Sequence, residues 1–185
     1  MSNGSQWKVL SERRIVDRWW LRLDEQKVEL PNGHIIPEFH LLRGADWAAC
    51  VALTRQRELV MVRQYRHGLG RDSLEVPAGV IDAGEDARGA VERELLEETG
   101  YVARDFQALC IVSPEPSRHT QHAHFFVAFD AEPSTGQRLE ASEQISVELH
   151  PIDTVLGLIQ AGQIVHGTQI GAILLALHGG LLGPR

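Results

Sequence analysis

The spacing of apolar positions along this 185-residue chain changes several times. From Trp7 to Arg43, β-formers alternate with charges in WKVLSERRIV and WWLRLDEQKVEL, and Asn32-Gly33 supplies a strong hairpin signal. Two continuous apolar runs follow, AACVALT and residues 59–65, which read as core strands around a turn at residues 55–58. Leu74-Glu75-Val76 is a brief strand that ends at Pro77-Ala78-Gly79. A helical period then runs from about Asp86 to Gly100, a suitable C-terminal residue. FQALCIV and HAHFFVAFD return to strand patterning on either side of the polar SPEPSRHTQ loop. A turn at EPSTGQ, a loop carrying Glu140 and Glu143, and a strand at ISVEL come next. Pro151 introduces a helix to about Gln160, and a second helix is expected from Thr168 to His178, with Ile170, Ile173, Leu174 and Leu177 on one face. The GGLLGPR tail is expected to fray. Strands, a central helix, more strands and terminal helices predict an α+β, three-layer αβα arrangement. Residues 1–43 are expected to form an N-terminal β extension, and residues 44–185 the main domain.

The central helix carries the candidate chemistry. Glu94, Glu97 and Glu98 fall at i, i+3 and i+4 and project from one side. At about 100° per residue, Ala87, Ala90 and Val91 share the side of Glu94 and Glu98, with Leu95 just beyond. The carboxylates therefore extend the apolar, protein-facing stripe. An acidic surface helix tied by Glu–Arg pairs is the bland alternative, but Arg88 and Arg93 are too few to pair Glu85, Asp86, Glu92, Glu94, Glu97 and Glu98. Hard oxygen donors suit Mg²⁺ or a similar divalent ion.

The segment GVIDAGEDARGAVERELLEETGY resembles a Nudix box: Gly, five residues, Glu, seven residues, Arg-Glu, an aliphatic residue, any residue, Glu-Glu, any residue, Gly and an aliphatic residue. Gly79, Glu85, Arg93, Glu94, Leu95, Glu97, Glu98 and Gly100 match at every spacing. Tyr101 departs from the aliphatic final position, with Val102 expected to take over part of its packing. The resemblance implies the Nudix fold, a mixed sheet sandwiched between helices, with a loop-helix-loop that binds divalent metal and hydrolyses a nucleoside diphosphate linked to another group.

It also implies roles. Glu94, Glu98 and Glu97 are the expected ligands of Mg²⁺ (or Mn²⁺), with the Ala78 carbonyl as a backbone ligand. Glu97 and Arg93 belong to the catalytic set, Arg93 and Glu85 bracing the loop and orienting the carboxylates. The general base is expected in the loop before ISVEL, at Glu143, with Glu140 as the competing candidate. The stretches VRQYR and SLEVPAG resemble those of ADP-ribose and nucleotide-sugar hydrolases. They nominate Arg66 as a phosphate contact, through its two-pronged fork, and Glu75 as a nucleoside or metal contact. Arg118, with His119, is a candidate contact for the terminal sugar or phosphate, and Trp19 (or Trp20) for base stacking, with a core or dimer-contact role as the alternative. Pro116, 15 residues past Tyr101, matches the ADP-ribose subgroup, whereas SPEPSRHT departs from the SPG common there and leaves nucleotide sugars open. Similar enzymes exchange their N-terminal strands in a homodimer, which is expected here too.

Bulk properties narrow the field. A net charge of -7 disfavours a protein that grips long nucleic acid through its phosphates. Cys50 and Cys110 sit in apolar runs and read as buried thiols, which fits a reducing cytoplasm. The polar start MSNGSQWK lacks the apolar core of a signal peptide, and no apolar stretch reaches membrane-spanning length. His119, His122 and His124 raise a zinc site, but strand alternation separates His119 from the other two. The expected activity is hydrolysis of ADP-ribose or nucleoside diphosphate sugars to a nucleoside monophosphate and a sugar phosphate. The alternatives are a hydrolase of dinucleoside polyphosphates or RNA 5′ ends, and a non-catalytic nucleotide sensor.

Overall fold

The computed structural model describes residues 6–18 and 21–183. The chain divides into two compact units, one of Met1–Ala45 with Ser113–His122, the other of Asp46–Val112 with Ala123–Arg185.

In the first unit β1 (Lys8–Arg18), β2 (Leu21–Glu29) and β3 (Ile35–Arg43) form an antiparallel sheet in that order. Asn32-Gly33 turns β2 into β3: Gly33 adopts φ 80°, its N–H donates to the Leu30 carbonyl, and Asn32 Oδ1 accepts from the His34 N–H. Asp24 is only 1% exposed and is held by Arg14 at 2.8 Å and by Arg43. Those guanidinium groups, Arg14 first, hold its acidity at about 2. The segment Ser113–His122 joins the sheet through Leu42, whose N–H donates to the Arg118 carbonyl and whose carbonyl accepts from the Thr120 N–H.

The second unit is an eight-stranded mixed sheet between helices. Its strands are β4 (Trp47–Thr54), β5 (Glu58–Arg66), β6 (Arg71–Glu75), β7 (Ala78–Val80), β8 (Tyr101–Val102), β9 (Asp105–Val112), β10 (Ala123–Pro133) and β11 (Ile145–Pro151). β4 and β10 run parallel at the centre, and the other pairings are antiparallel. β4 is apolar from Trp47 to Leu53 because both its faces are covered. Ala48, Cys50 and Ala52 face α1 (Ala87–Thr99), while Ala49, Val51 and Leu53 face α2 (Val155–Gln160) and α3 (Gly167–His178). This is the expected α+β layering.

Four local expectations change. Leu174 is exposed, whereas Ile173 is buried as expected together with Gln169, Ala172 and Ala176; the small side chains of Ala172 and Ala176, at i and i+4, let the helix lie close to the sheet. The tail does not fray through its described part: Gly180, at φ 71°, reverses the chain and buries Leu182 in the core. Tyr101 itself packs on the α1-side core while Val102 is exposed, so the box ends on its aromatic residue. Cys50 is buried, but Cys110 only partly so.

Candidate active site

The Gly79–Tyr101 segment folds as strand, loop and helix. Asp86 caps α1, its side chain accepting from the Gly89 N–H at 2.7 Å. Gly100 ends it in the left-handed conformation at φ 73°, with its N–H on the Leu96 carbonyl. β7 pairs with β4 so that Gly79 lies opposite Ala48. A side chain at Gly79 would overlap the Glu94 carboxylate, which explains the glycine.

Arg93 ties the loop together. Its guanidinium meets Glu85 at 2.9 and 3.1 Å, Glu94 at 2.6 Å, Glu97 at 3.2 Å and the Val80 carbonyl at 3.0 Å. Glu85 also accepts from the Asp82 N–H at 3.3 Å. Both residues thus tie the loop to the helix. Glu98 stands apart from the arginine: its Oε2 accepts from the Ala78 N–H at 2.9 Å.

Glu94 and Glu98 are 9% and 5% exposed. Burial raises the pKa of both, and that of Glu98 reaches about 8 despite the Ala78 hydrogen bond, with Glu94 and Glu143 adding repulsion. For Glu94, burial outweighs the opposing pull of Arg93. Two carboxylates are therefore held where ionisation is costly, a condition that a divalent cation would relieve. Among the described residues no three His, Cys, Asp or Glu side chains form a ready-made metal cage. A magnesium-type ion does not need one, since one or two carboxylates, water and substrate phosphates complete its shell. The donor set Glu94, Glu98, Glu97 and the Ala78 carbonyl fits that pattern.

Beside Ala78 opens a cleft of about 660 Å³, lined by Arg66, Glu75, Val80, Trp47, His166 and Gln169 among others. Arg66 and Glu75 are both there, but joined: the guanidinium meets the carboxylate at 2.8 and 2.7 Å. Burial alone would raise the pKa of Glu75, which is 2% exposed; Arg66 more than offsets it and leaves the pKa below its usual value. Charge from Arg66 also reaches Glu98.

Glu143 lies in an exposed loop, where its carboxylate accepts from the Glu140 N–H at 2.8 Å and its N–H donates to the Glu140 carbonyl. It is close enough to raise both Glu94 and Glu98 electrostatically. Arg118 belongs to the first unit, where it stands 5.6 Å over the Phe39 ring. Trp19 and Trp20 lie outside the described residues. His124 bonds Asp46 at 3.3 Å, and no zinc cluster forms among the described residues.

Trp47, His166 and Gln169 are cleft residues that motif reasoning missed. Trp47 flanks an apolar strand and packs edge-on against His166, 5.6 Å between ring centres. His166 precedes α3, and burial holds its imidazole below the usual value. Neither belongs to a recognisable sequence pattern.

Comparison with known proteins agrees with this geometry. The NUDIX domain family model matches residues 45–168, and the nucleoside diphosphate sugar hydrolase N-terminal domain model matches residues 7–42. The chain belongs to the Nudix family and is a Nudix hydrolase. A CMP-5′-(N-acetyl-N-hydroxy-3-aminopropyl)phosphonate hydrolase of Streptomyces rubellomurinus is 30% identical over 95% of this chain and 84% of its own. An ADP-ribose pyrophosphatase of Bacillus subtilis is 27% identical over 90% of each chain. A methanol dehydrogenase activator of Bacillus methanolicus is 34% identical, the match spanning 65% of each chain. A solved structure of an ADP compounds hydrolase superposes with a TM-score of 0.85 over 95% of each chain at 21% identity, which shows the shared fold.

Proposed function

We propose that the protein is a divalent-metal-dependent pyrophosphatase that cleaves ADP-ribose or related nucleoside diphosphate sugars to a nucleoside monophosphate and a sugar phosphate. The observation that carries this reading is the junction at Ala78, where the buried Glu98 carboxylate meets the floor of the 660 Å³ cleft. The relatives named for ADP-ribose and for a CMP-linked phosphonate, and the match to a nucleotide-sugar hydrolase N-terminal domain, support a diphosphate joined to a second group.

In this reading Glu94, Glu98, Glu97 and the Ala78 carbonyl hold Mg²⁺, with Mn²⁺ as a substitute. Bound there, such an ion would supply charge to neutralise the pyrophosphate and to acidify a water. Arg93 and Glu85 keep the carboxylates aimed. Arg66 exchanges part of its pairing with Glu75 for phosphate oxygens, while Trp47 and His166 offer flat surfaces to the linked group. Glu143 takes the water's proton after leaving its contact with the Glu140 N–H. The electrostatic reach of Glu143 to both Glu94 and Glu98 favours it over Glu140.

Residues 1–43 act as a β extension through which two copies pair, and residues 44–185 as the hydrolase domain. Val9, Leu10, Ile15 and Ile35 are exposed on the N-terminal sheet, which supports pairing there. No described helix is long and apolar enough to cross a membrane. The testing experiment is a product-release assay with Mg²⁺ over ADP-ribose, nucleotide sugars, dinucleoside polyphosphates, 5′-triphosphate RNA and nucleoside triphosphates. Preferential release of a monophosphate and a sugar phosphate is expected; preference for triphosphates would overturn the substrate class.

A further inference from the structure

Gln169 lies one residue past the end of the family match and outside the glutamate motif. It sits in the first turn of α3, is 1% exposed, and is the polar member of a buried face otherwise made of Ala172, Ile173 and Ala176. Both ends of its amide are used. Oε1 accepts from the Val76 N–H at 2.9 Å, and Nε2 donates to Glu75 Oε2 at 3.4 Å.

Those two partners lead directly to the site. Val76 lies between β6 and β7, where its N–H has no ladder partner in the sheet pairings. The next residue, Pro77, accepts from the Cys50 N–H at 3.1 Å, and Ala78 donates to Glu98. Glu75 on the other side fixes the Arg66 fork. An apolar side chain would suit the α3 face, but it would leave the buried Val76 N–H unpaired and one side of Glu75 unsupported.

We infer that Gln169 is a positioning residue, by which the C-terminal helix clamps Glu75 and Val76 so that Ala78 meets Glu98 and Arg66 keeps its aim. The inference rests on the reading of Glu94, Glu98 and Ala78 as a metal site. Its one amide serves both halves of the site: the Val76 bond supports the metal side and the Glu75 bond the phosphate side. The two arms therefore separate in mutants. Gln169→Met keeps the length and loses both bonds. Gln169→Glu keeps an acceptor for Val76 but sets a second carboxylate against Glu75, which competes for Arg66.

The experiment measures Mn²⁺ uptake by calorimetry, melting temperature, and kcat and KM on the substrate that the wild type cleaves best. Ala172→Gly, on the same helix face, is the core-loosening control. Gln169→Met is expected to take up Mn²⁺ about 10-fold or more weakly, with a matching loss of kcat. Gln169→Glu should bind Mn²⁺ like the wild type and show a raised KM. Ala172→Gly should lose melting temperature alone. Wild-type Mn²⁺ affinity and KM in both Gln169 variants would overturn the inference, and so would failure of both to fold, since the residue would then serve the core. A wild type that takes up no Mn²⁺ would instead overturn the reading of the metal site, and this inference with it.

Discussion

Glu98 Oε2 and the Ala78 N–H are 2.9 Å apart, a bond that ties the end of α1 to the turn before the box glycine. It orients the Glu98 carboxyl but does not offset burial, which still raises its pKa to about 8. Glu98→Gln preserves an acceptor for Ala78 and removes the charge. Turnover is expected to fall by about 100-fold or more, with the melting temperature kept, as read by steady-state kinetics and calorimetry. Turnover within a few-fold of wild type would remove Glu98 from the metal site.

The same residue sets a pH dependence in metal-free protein. A carboxyl whose folded value lies above its ordinary 4.5 contributes stability at low pH that is lost as pH rises through about 8. His166 is already neutral in this range, since burial lowers its value, so it adds no slope between pH 7 and 9. Metal-free protein should therefore melt lower at pH 9 than at pH 7, a loss of about 1 kcal/mol, the remainder having been lost between pH 4.5 and 7. Added Mg²⁺ should reverse it, and Glu98→Gln should flatten it. A wild type whose melting temperature holds steady across that window contradicts the environment assigned to Glu98.

Gly79 and Gly100 should fail differently. A Cβ at Gly79 meets the flexible end of Glu94, whereas one at Gly100, at φ 73°, meets the Thr135 backbone carbonyl. Gly79→Ala is expected to fold normally and bind Mn²⁺ weakly, because the carboxylate moves aside. Gly100→Ala should lose about 1–3 kcal/mol through backbone strain alone, more with the overlap. Denaturant melts and Mn²⁺ titrations of both variants separate the cases; equal stability losses would contradict this account.

Much of this site was legible in the sequence because it is local. The 3.6-residue period placed Glu94 and Glu98 on the face of Ala90 and Val91, and Gly100 marked the C-terminal end of the helix. Gln169 was hidden for the opposite reason: its bond to Val76 spans 93 residues and sits in a helix whose pattern reads as plain apolar. Leu174 misled because its size suggested burial, while Ala172 and Ala176 were what close helix–sheet packing required. Arg66 was found as a residue, but its engagement with Glu75 depends on strand pairing between β5 and β6.

Arg93 gives a test of geometry against charge. Its fork reaches Glu85, Glu94, Glu97 and the Val80 carbonyl together, which a lysine ammonium cannot do. Arg93→Lys keeps the charge and should still cost about 10- to 100-fold in kcat or metal affinity. Activity near wild type in that variant would show that a point charge suffices there.

The most direct measurement counts protons released when Mn²⁺ is titrated into the protein at pH 7, by calorimetry in buffers of different ionisation enthalpy. With Glu98 protonated at that pH, uptake should release about one proton per chain, fewer at pH 9.5, and none from Glu98 in the Gln variant. Absence of Mn²⁺ uptake, or uptake with the same proton count in wild type and Glu98→Gln, would contradict the account.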